Sequence, residues 1–171
     1  MNKLNYKIIT KKISSSLLEH SAVNESDELF KVLEKLKPSG TCVELGTYKG
    51  ISTLVLSNYF NLILTYDITD YKERIEIWET FNVFHLIDSF VFGNRELIYK
   101  DLLEKSKYIK FDWTFIDTVH DYKNAKADVE MLRKLNCKNI LLHDIHFNGV
   151  KKYFEEENGE ILSKHIGYLK L

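Results

Sequence analysis

Residues 41–53 read Thr41-Cys42-Val43-Glu44-Leu45-Gly46-Thr47-Tyr48-Lys49-Gly50-Ile51-Ser52-Thr53. The stretch from Thr41 to Leu45 is a short, mostly apolar run, the pattern of a buried strand. Gly46 to Gly50 is a glycine-bounded turn, after which Ile51, Leu54, Val55 and Tyr59 recur on one helical face. Strand, glycine turn and helix in that order open a βα unit. The turn reads E-x-G-x-x-x-G. It is not the G-x-G-x-x-G that brings backbone N–H groups up to a pyrophosphate.

The unit repeats along the chain. Leu62–Asp67, Val83–Asp88, Phe111–Asp117 and Asn139–Asp144 are further strand candidates. Helical signals separate them: Ile75 with Trp78, Ile98 with Leu102, then Ala125, Val129 and Leu132, and finally Val150, Tyr153 and Phe154. Upstream, Asn24-Glu25-Ser26-Asp27 is an N-cap cluster for a helix bearing Leu29, Leu33 and Leu36, and Pro38-Ser39-Gly40 stops it. Downstream, Ile161 to Leu171 is a last strand candidate, bent at Gly167. Strands alternating with helices indicate an α/β fold with both sheet faces covered. The expectation is a single doubly wound, Rossmann-like domain over 1–171, mostly parallel, with a C-terminal antiparallel strand. Within it, 1–39 form an N-terminal arm and helix and 40–171 the core. A closed barrel would need eight such units and about 250 residues.

Composition agrees and removes other classes. The chain has 171 residues, 44% hydrophobic and 29% charged, enough for a sizeable core. At 13% aromatic it is not a disordered chain, and seven Gly with one Pro exclude a collagen-like one. The formal charge is −1, so no net field draws it to nucleic acid or anionic lipid. Cys42 and Cys137 lack metal-type spacing, which points to a reduced cytoplasm. MNKLNYKIITKKISSS is basic without the apolar core of a signal peptide, and no apolar run reaches the roughly 18 residues of a membrane span.

Glu44, Asp67, Asp88, Asp117 and Asp144 lie at or next to the ends of the five strand candidates. In a parallel sheet those ends share one edge, and ligands bind there. Asp ends strands through its turn preference as well, which is the plain alternative for any one of them. Together they make a self-repelling rim unsuited to a nucleoside triphosphate. The rim suits a ligand with cationic groups and ribose hydroxyls, a metal ion, or both. S-adenosylmethionine carries a sulfonium, an ammonium and a ribose diol, and no phosphate. Asp67 follows Gly46 by 21 residues, the spacing of an acid that takes ribose hydroxyls from the end of the second strand.

Three segments then carry a family resemblance: Val43 to Thr53, Phe115-Ile116-Asp117-Thr118-Val119-His120-Asp121-Tyr122 running on to Asp128, and Leu141-Leu142-His143-Asp144. Over roughly residues 40–155 the chain resembles the S-adenosylmethionine-dependent methyltransferases of the Rossmann-like class. More narrowly, it is similar to the small-molecule O-methyltransferases related to catechol O-methyltransferase and to the macrolide-sugar and cephalosporin-pathway enzymes. The resemblance implies a cofactor-binding set. Glu44 and Gly46 hold the methionine end, with Thr47, Gly50 and Ser52 in the same turn. Asp67 takes the ribose, and Asp88 and Ser89 contact adenine. Asp117 lies beside the methyl donor, where relatives place a divalent-metal ligand, and His143 and Asp144 fall where they have a second and third.

Asp117 and Asp144 suit Mg²⁺, whereas His143 favours Zn²⁺ or another transition ion. The alternative is that His143 orients Asp144 or packs under the site. His120 is the candidate base, its neutral imidazole taking a proton from an attacking hydroxyl. The alternative there is a solvent-facing or capping histidine. Asp128, His20, His85 and His165 read as structural, and His146 as a weaker version of His120.

The expected activity is methyl transfer to the oxygen of a small hydroxylated acceptor, a sugar or a phenol, with or without a divalent metal. Its rival is a scaffold or partner subunit that binds the cofactor without turnover. Leu135-Asn136-Cys137-Lys138-Asn139 lacks the Gly-Gly turn common in relatives, and Asn136 is the residue able to take the left-handed conformation. Segments able to cap an acceptor are short, which makes a homodimer plausible.

Overall fold

The computed structural model describes residues 20–81 and 83–171, without the side chains of 20–25, 80, 84 and 88–92. Most of the expected N-terminal arm lies outside the described residues. Helix α1 spans His20–Leu36. Asn24 to Asp27 therefore sit within a helix rather than capping it.

Strand β1, Thr41–Leu45, is the centre of the sheet. The chain continues through α2 (Ile51–Leu56), β2 (Leu62–Asp67), α3 (Glu73–Thr80), β3 (Ile87–Phe92), α4 (Arg95–Lys105), β4 (Trp113–Ile116), α5 (Tyr122–Lys134), β5 (Asn139–Leu142) and α6 (Asn148–Glu156). It ends in a hairpin of β6 (Glu160–Ile161) and β7 (Gly167–Lys170). The strand order is β3-β2-β1-β4-β5-β7-β6. β1 to β5 pair in parallel and β7 is antiparallel to β5. The expected mixed sheet is therefore present, with the last strand candidate resolved into two short strands.

The pleat explains the layering, because successive side chains point to opposite faces. Val43 and Leu45 face one core with Leu102, Val129 and Phe154 from α4, α5 and α6. Cys42 faces the other, with Leu29 and Leu33 of α1 and Val55 of α2. Ile51, Leu54, Ile77 and Trp78 pack α2 against α3. Asn136 takes φ 59 at the turn before β5, so an asparagine fills the position that glycine fills elsewhere. Among the described residues, no helix is long and apolar enough to cross a membrane.

One strand differs from expectation. Phe84–Leu86 is a 3₁₀ turn, and β3 runs over Ile87–Phe92 instead of Val83–Asp88. The apolar run is long enough to hold both, and its real stop is Gly93-Asn94. The Asn94 side chain accepts from the Leu97 N–H at 3.0 Å and caps α4. Asp88 is thus the second residue of its strand, at the amino end, away from the edge where the other acids collect.

Candidate functional site

A cleft of about 1110 Å³ opens at the carboxyl ends of the parallel strands. The first turn forms its floor. Gly46 has φ 94, and a Cβ there would stand 1.8 Å from the Asp117 carbonyl oxygen. Its N–H donates to Tyr66 O at 2.8 Å, while Asp117 N–H donates to Leu45 O at 2.7 Å. Only glycine lets the turn after β1 lie this close to the end of β4. The closeness puts the turn, Asp67 and Asp117 on one cleft wall.

Glu44 does not reach that cleft. It is fully buried and faces α2. Ser52 donates to its Oε1 at 2.6 Å, and Thr53 and Thr65 donate to Oε2 at 2.6 and 2.5 Å. Thr47 and Thr65 share a 2.5 Å bond. Since the Thr65 hydrogen goes to Glu44, Thr47 is the donor. Burial pushes the Glu44 carboxyl up to about 7, against the pull of the three hydroxyls. Thr47 is itself buried, and Gly50 packs on Trp78. Glu44, Thr47 and Gly50 therefore shape the turn from beneath, whereas Gly46, Asp67 and Asp117 line the cleft. Ser52 lines a second cavity of about 60 Å³, shared with Ser26 and Leu29 of α1, Lys49, Asp117 and His143.

Asp67 ends β2. Its Oδ2 accepts from Tyr48 N–H at 2.6 Å and its Oδ1 from Thr69 N–H at 2.9 Å. Each oxygen keeps a lone pair for a ligand hydroxyl. Arg74, its side chain buried, donates to the Thr69 and Tyr71 carbonyls and fixes this loop. Tyr71 packs edge-on against Tyr48 at 4.8 Å, and both line the cleft. Past the carboxyl end of β3 the cleft meets Gly93, Asn94 and Arg95.

The ends of β4 and β5 bring two carboxylates and two imidazoles together. His120 Nε2 is 2.8 Å from Asp144 Oδ2 and 3.6 Å from Asp117 Oδ1. His143 Nδ1 is 3.2 Å from Asp117 Oδ1 and 3.4 Å from Asp144 Oδ2. Hydrogen bonds to Asp117 and Asp144 raise His120 to about 9. Burial opposes the charge on His143, but the same two carboxylates outweigh it and raise that ring to about 10. Burial opposes the charge on Asp144 too, yet His120 and His143 hold it well below the usual carboxylate range. Asp117 is lowered likewise.

One atom each from Asp117, His120 and Asp144 lie within 4.8 Å of one another, close enough to face a single ion. The His143 side chain, only 2% exposed, meets the same two carboxylates from the buried side.

Other cleft residues carried little sequence signal. His146 and Phe147 follow Asp144, and His165 comes from the turn between β6 and β7. Phe147 stacks on His120 at 4.9 Å and 5°, and His146 lies tilted against Phe147 at 4.3 Å. His165 is held by Glu28 of α1 through its N–H at 3.0 Å and Nδ1 at 2.6 Å. Asp128, on α5 and read from the sequence as structural, lines the same cleft.

No protein-family model matches the chain, and no curated relative does. Solved structures do. An O-methyltransferase from Bacillus cereus, in complex with S-adenosylhomocysteine, superposes with a TM-score of 0.65 at 16% identity, over 95% of this chain and 87% of that one. TomG from Streptomyces achromogenes, an O-methyltransferase of tomaymycin synthesis in complex with S-adenosylmethionine, gives 0.65 at 16% identity over 92% and 88%. A cofactor-bound protein of MTB, Rv0187, gives 0.59 at 14% identity over 95% and 85%. By its fold, the chain is similar over nearly its whole length to these structures, two of which are O-methyltransferases.

Proposed function

We propose that the protein is an S-adenosylmethionine-dependent methyltransferase acting on the oxygen of a small hydroxylated acceptor. One observation carries the reading. Asp67, the Gly46 turn and the cluster of Asp117, His120 and Asp144 open onto a single cleft at the carboxyl ends of a parallel sheet. The donor set fits the cofactor. Asp67 has lone pairs for ribose hydroxyls, and Asp117 offers negative charge to cationic groups. The second cavity, beside the same turn, offers the Lys49 ammonium to an amino-acid carboxylate. The bound cofactor would supply an already activated methyl group, so this chain's work is positioning and proton removal.

His120 is the group for proton removal. With Nε2–H donating to Asp144, Nδ1 is the basic nitrogen. The value of about 9 makes the ring cationic at neutral pH in the free protein. A cationic ligand in the cleft opposes that second positive charge and favours the neutral, basic form. Asp144 and the Phe147 face fix the direction of the ring.

The spacing of Asp117, His120 and Asp144 supports a second use of the same residues, as ligands of a divalent ion. One nitrogen with two oxygens suits Mn²⁺ or Zn²⁺ better than Mg²⁺. Such an ion would lower the pKa of an acceptor hydroxyl. The two uses of His120 exclude each other. Val119, 51% exposed, and Phe147, 43% exposed, border His120 and favour an acceptor with an apolar or aromatic body over a bare sugar.

Calorimetric titration with S-adenosylhomocysteine, with EDTA and then with Mn²⁺ or Mg²⁺, tests the reading. Micromolar binding is expected. No binding under any condition overturns it. A metal-dependent affinity that disappears in Asp144→Ala favours the ion, and indifference to EDTA favours His120 as base.

A further inference from the structure

Behind the His120 loop, two helices meet through two pairs of residues at i and i+4, the spacing that puts side chains on one face. Arg95 and Tyr99 lie on α4, and Asn124 and Asp128 on α5. Asp128 is 2% exposed and gathers donors from separate elements. Arg95 Nε is 3.0 Å from its Oδ1 and Tyr99 OH donates to the same oxygen at 2.5 Å. Thr118 Oγ1 donates to Oδ2 at 2.8 Å. Arg95 Nη1 also donates to Asn124 Oδ1. A carboxylate buried with three charge-assisted partners is held in one place.

Thr118 matters most among these partners. It follows Asp117 and precedes His120 by two residues, in the connection between β4 and the Asp121 cap of α5. Val119 and His120 in that connection are exposed. The connection is tied at its ends by Asp117 N–H to Leu45 O and by Asp121 as N-cap. Between those ends, among the described residues, the hydrogen bonds that hold side chains of this loop are those of His120 itself and of Thr118 to Asp128. The other Asp128 partners, Arg95 and Tyr99, come from the helix that starts at the carboxyl end of β3.

We propose that Asp128 is a positioning residue for the reaction: through Thr118 it holds the loop that carries His120, and through Arg95 it ties that loop to the β3 side of the cleft. This rests on the reading of His120 as the reacting base. Asp128 touches neither His120 nor, in this role, the reacting atoms. It sets where the imidazole stands when a ligand fills the cleft.

The test uses ring resonances of the full chain labelled at histidine, with the His120 signal assigned by its loss in His120→Gln. Thr118→Val removes one hydroxyl and keeps the shape. It is expected to shift or broaden the His120 signal, and Thr118→Ser, which restores the donor, is expected to return it to the wild-type position. Tyr99→Phe removes the 2.5 Å bond that α4 gives Asp128 without touching the loop, and is expected to leave the His120 signal in place. Thermal midpoints should fall by similar small amounts in Thr118→Val and Tyr99→Phe, since each loses one hydrogen bond to a carboxylate. An unmoved His120 signal in Thr118→Val overturns the proposal. So does a signal displaced equally by Tyr99→Phe, because that marks a general loosening. Titration of the wild-type protein with S-adenosylhomocysteine, run beside these, reports separately on the cofactor reading. Failure to bind removes that reading while the spectra still decide whether Asp128 governs the loop.

Discussion

Glu44 and Asp144 are both acids at the carboxyl side of a buried parallel strand, and their surroundings drive them in opposite directions. Glu44 lies inside β1, so the pleat turns it away from the cleft into a cradle of hydroxyls. Burial dominates and its carboxyl rises to about 7. Asp144 lies two residues beyond β5, in the left-handed region at φ 57, and meets two imidazoles. Ion pairing dominates there and its carboxyl falls. The same offset sorts the other acids. Asp67 ends its strand and Asp117 follows its own by one residue, and both line the cleft. Asp88 is inside β3 and sits at the wrong end. Where an acid stands relative to the last ladder pair decides whether it serves a ligand or the core.

The largest effect is expected where the two regions touch. Gly46→Ala places a methyl 1.8 Å from the Asp117 carbonyl oxygen at a φ of 94. Left-handed strain plus displacement of β4 should cost about 3 kcal/mol or more. Urea unfolding measures it. A variant of wild-type stability would mean that the turn and β4 are independent, and the cleft would lose its common floor.

Next comes the ion-paired side. Asp144→Ala leaves the buried His143 with Asp117 as its remaining carboxylate, and should cost about 2 kcal/mol at neutral pH. Its pH signature is distinctive. His143 stands at about 10 when folded against an ordinary 6.5, so its contribution is complete below 6.5 and lost as pH rises through 10. Asp144 is depressed, so its contribution holds above its ordinary 3.8 and is lost in acid. Unfolding in EDTA should therefore show wild type weakening from pH 7 to 10, and the variant weakening less. Parallel profiles would separate His143 from this carboxylate.

Asp67→Ala tests the cleft-facing acids without a large change in the core. It should weaken S-adenosylhomocysteine binding by about 1–3 kcal/mol, through the lost ribose hydrogen bonds. Asp67→Asn, which keeps one acceptor oxygen, should lose less. Equal affinity in all three proteins would assign the ribose to another part of the cleft.

These contrasts also mark what the amino-acid pattern reveals. β1, its glycine turn and the alternation of strands and helices were legible because period and turn chemistry are local. So was the left-handed Asn136. The third strand was misplaced because Asp88 resembled a terminus, although the apolar pattern resumes at Phe90-Val91-Phe92. The resemblance implied His143 and Asp144 together as ligands. Their side chains touch, but His143 is buried beneath the site whereas Asp144 lines the cleft. Pairings such as Arg95 with Asp128 join residues 33 apart on different helices and leave no local trace.

The smallest effect at neutral pH is expected at Glu44, and it is the most discriminating. In Glu44→Gln the amide oxygen can stand where Oε2 accepts from Thr53 and Thr65, and the amide NH₂ where Oε1 stands. Only the Ser52 hydroxyl must turn, from donor to acceptor. The net change at pH 7 should stay within about 1 kcal/mol. The slope, however, should change. A folded value of about 7 against an ordinary 4.5 means that native protein binds more protons than unfolded across that window. Wild type therefore loses stability through Glu44 as pH rises from 4.5 to 7, and the glutamine variant, which keeps the other titrating groups and lacks this one, should fall less steeply there. Urea midpoints at four pH values between 4.5 and 8 decide it. An unchanged slope in the variant would mean that the hydroxyl cradle keeps Glu44 ionised throughout. Burial would then no longer set the first acid apart from the last, and the difference between them would reduce to the presence of histidine.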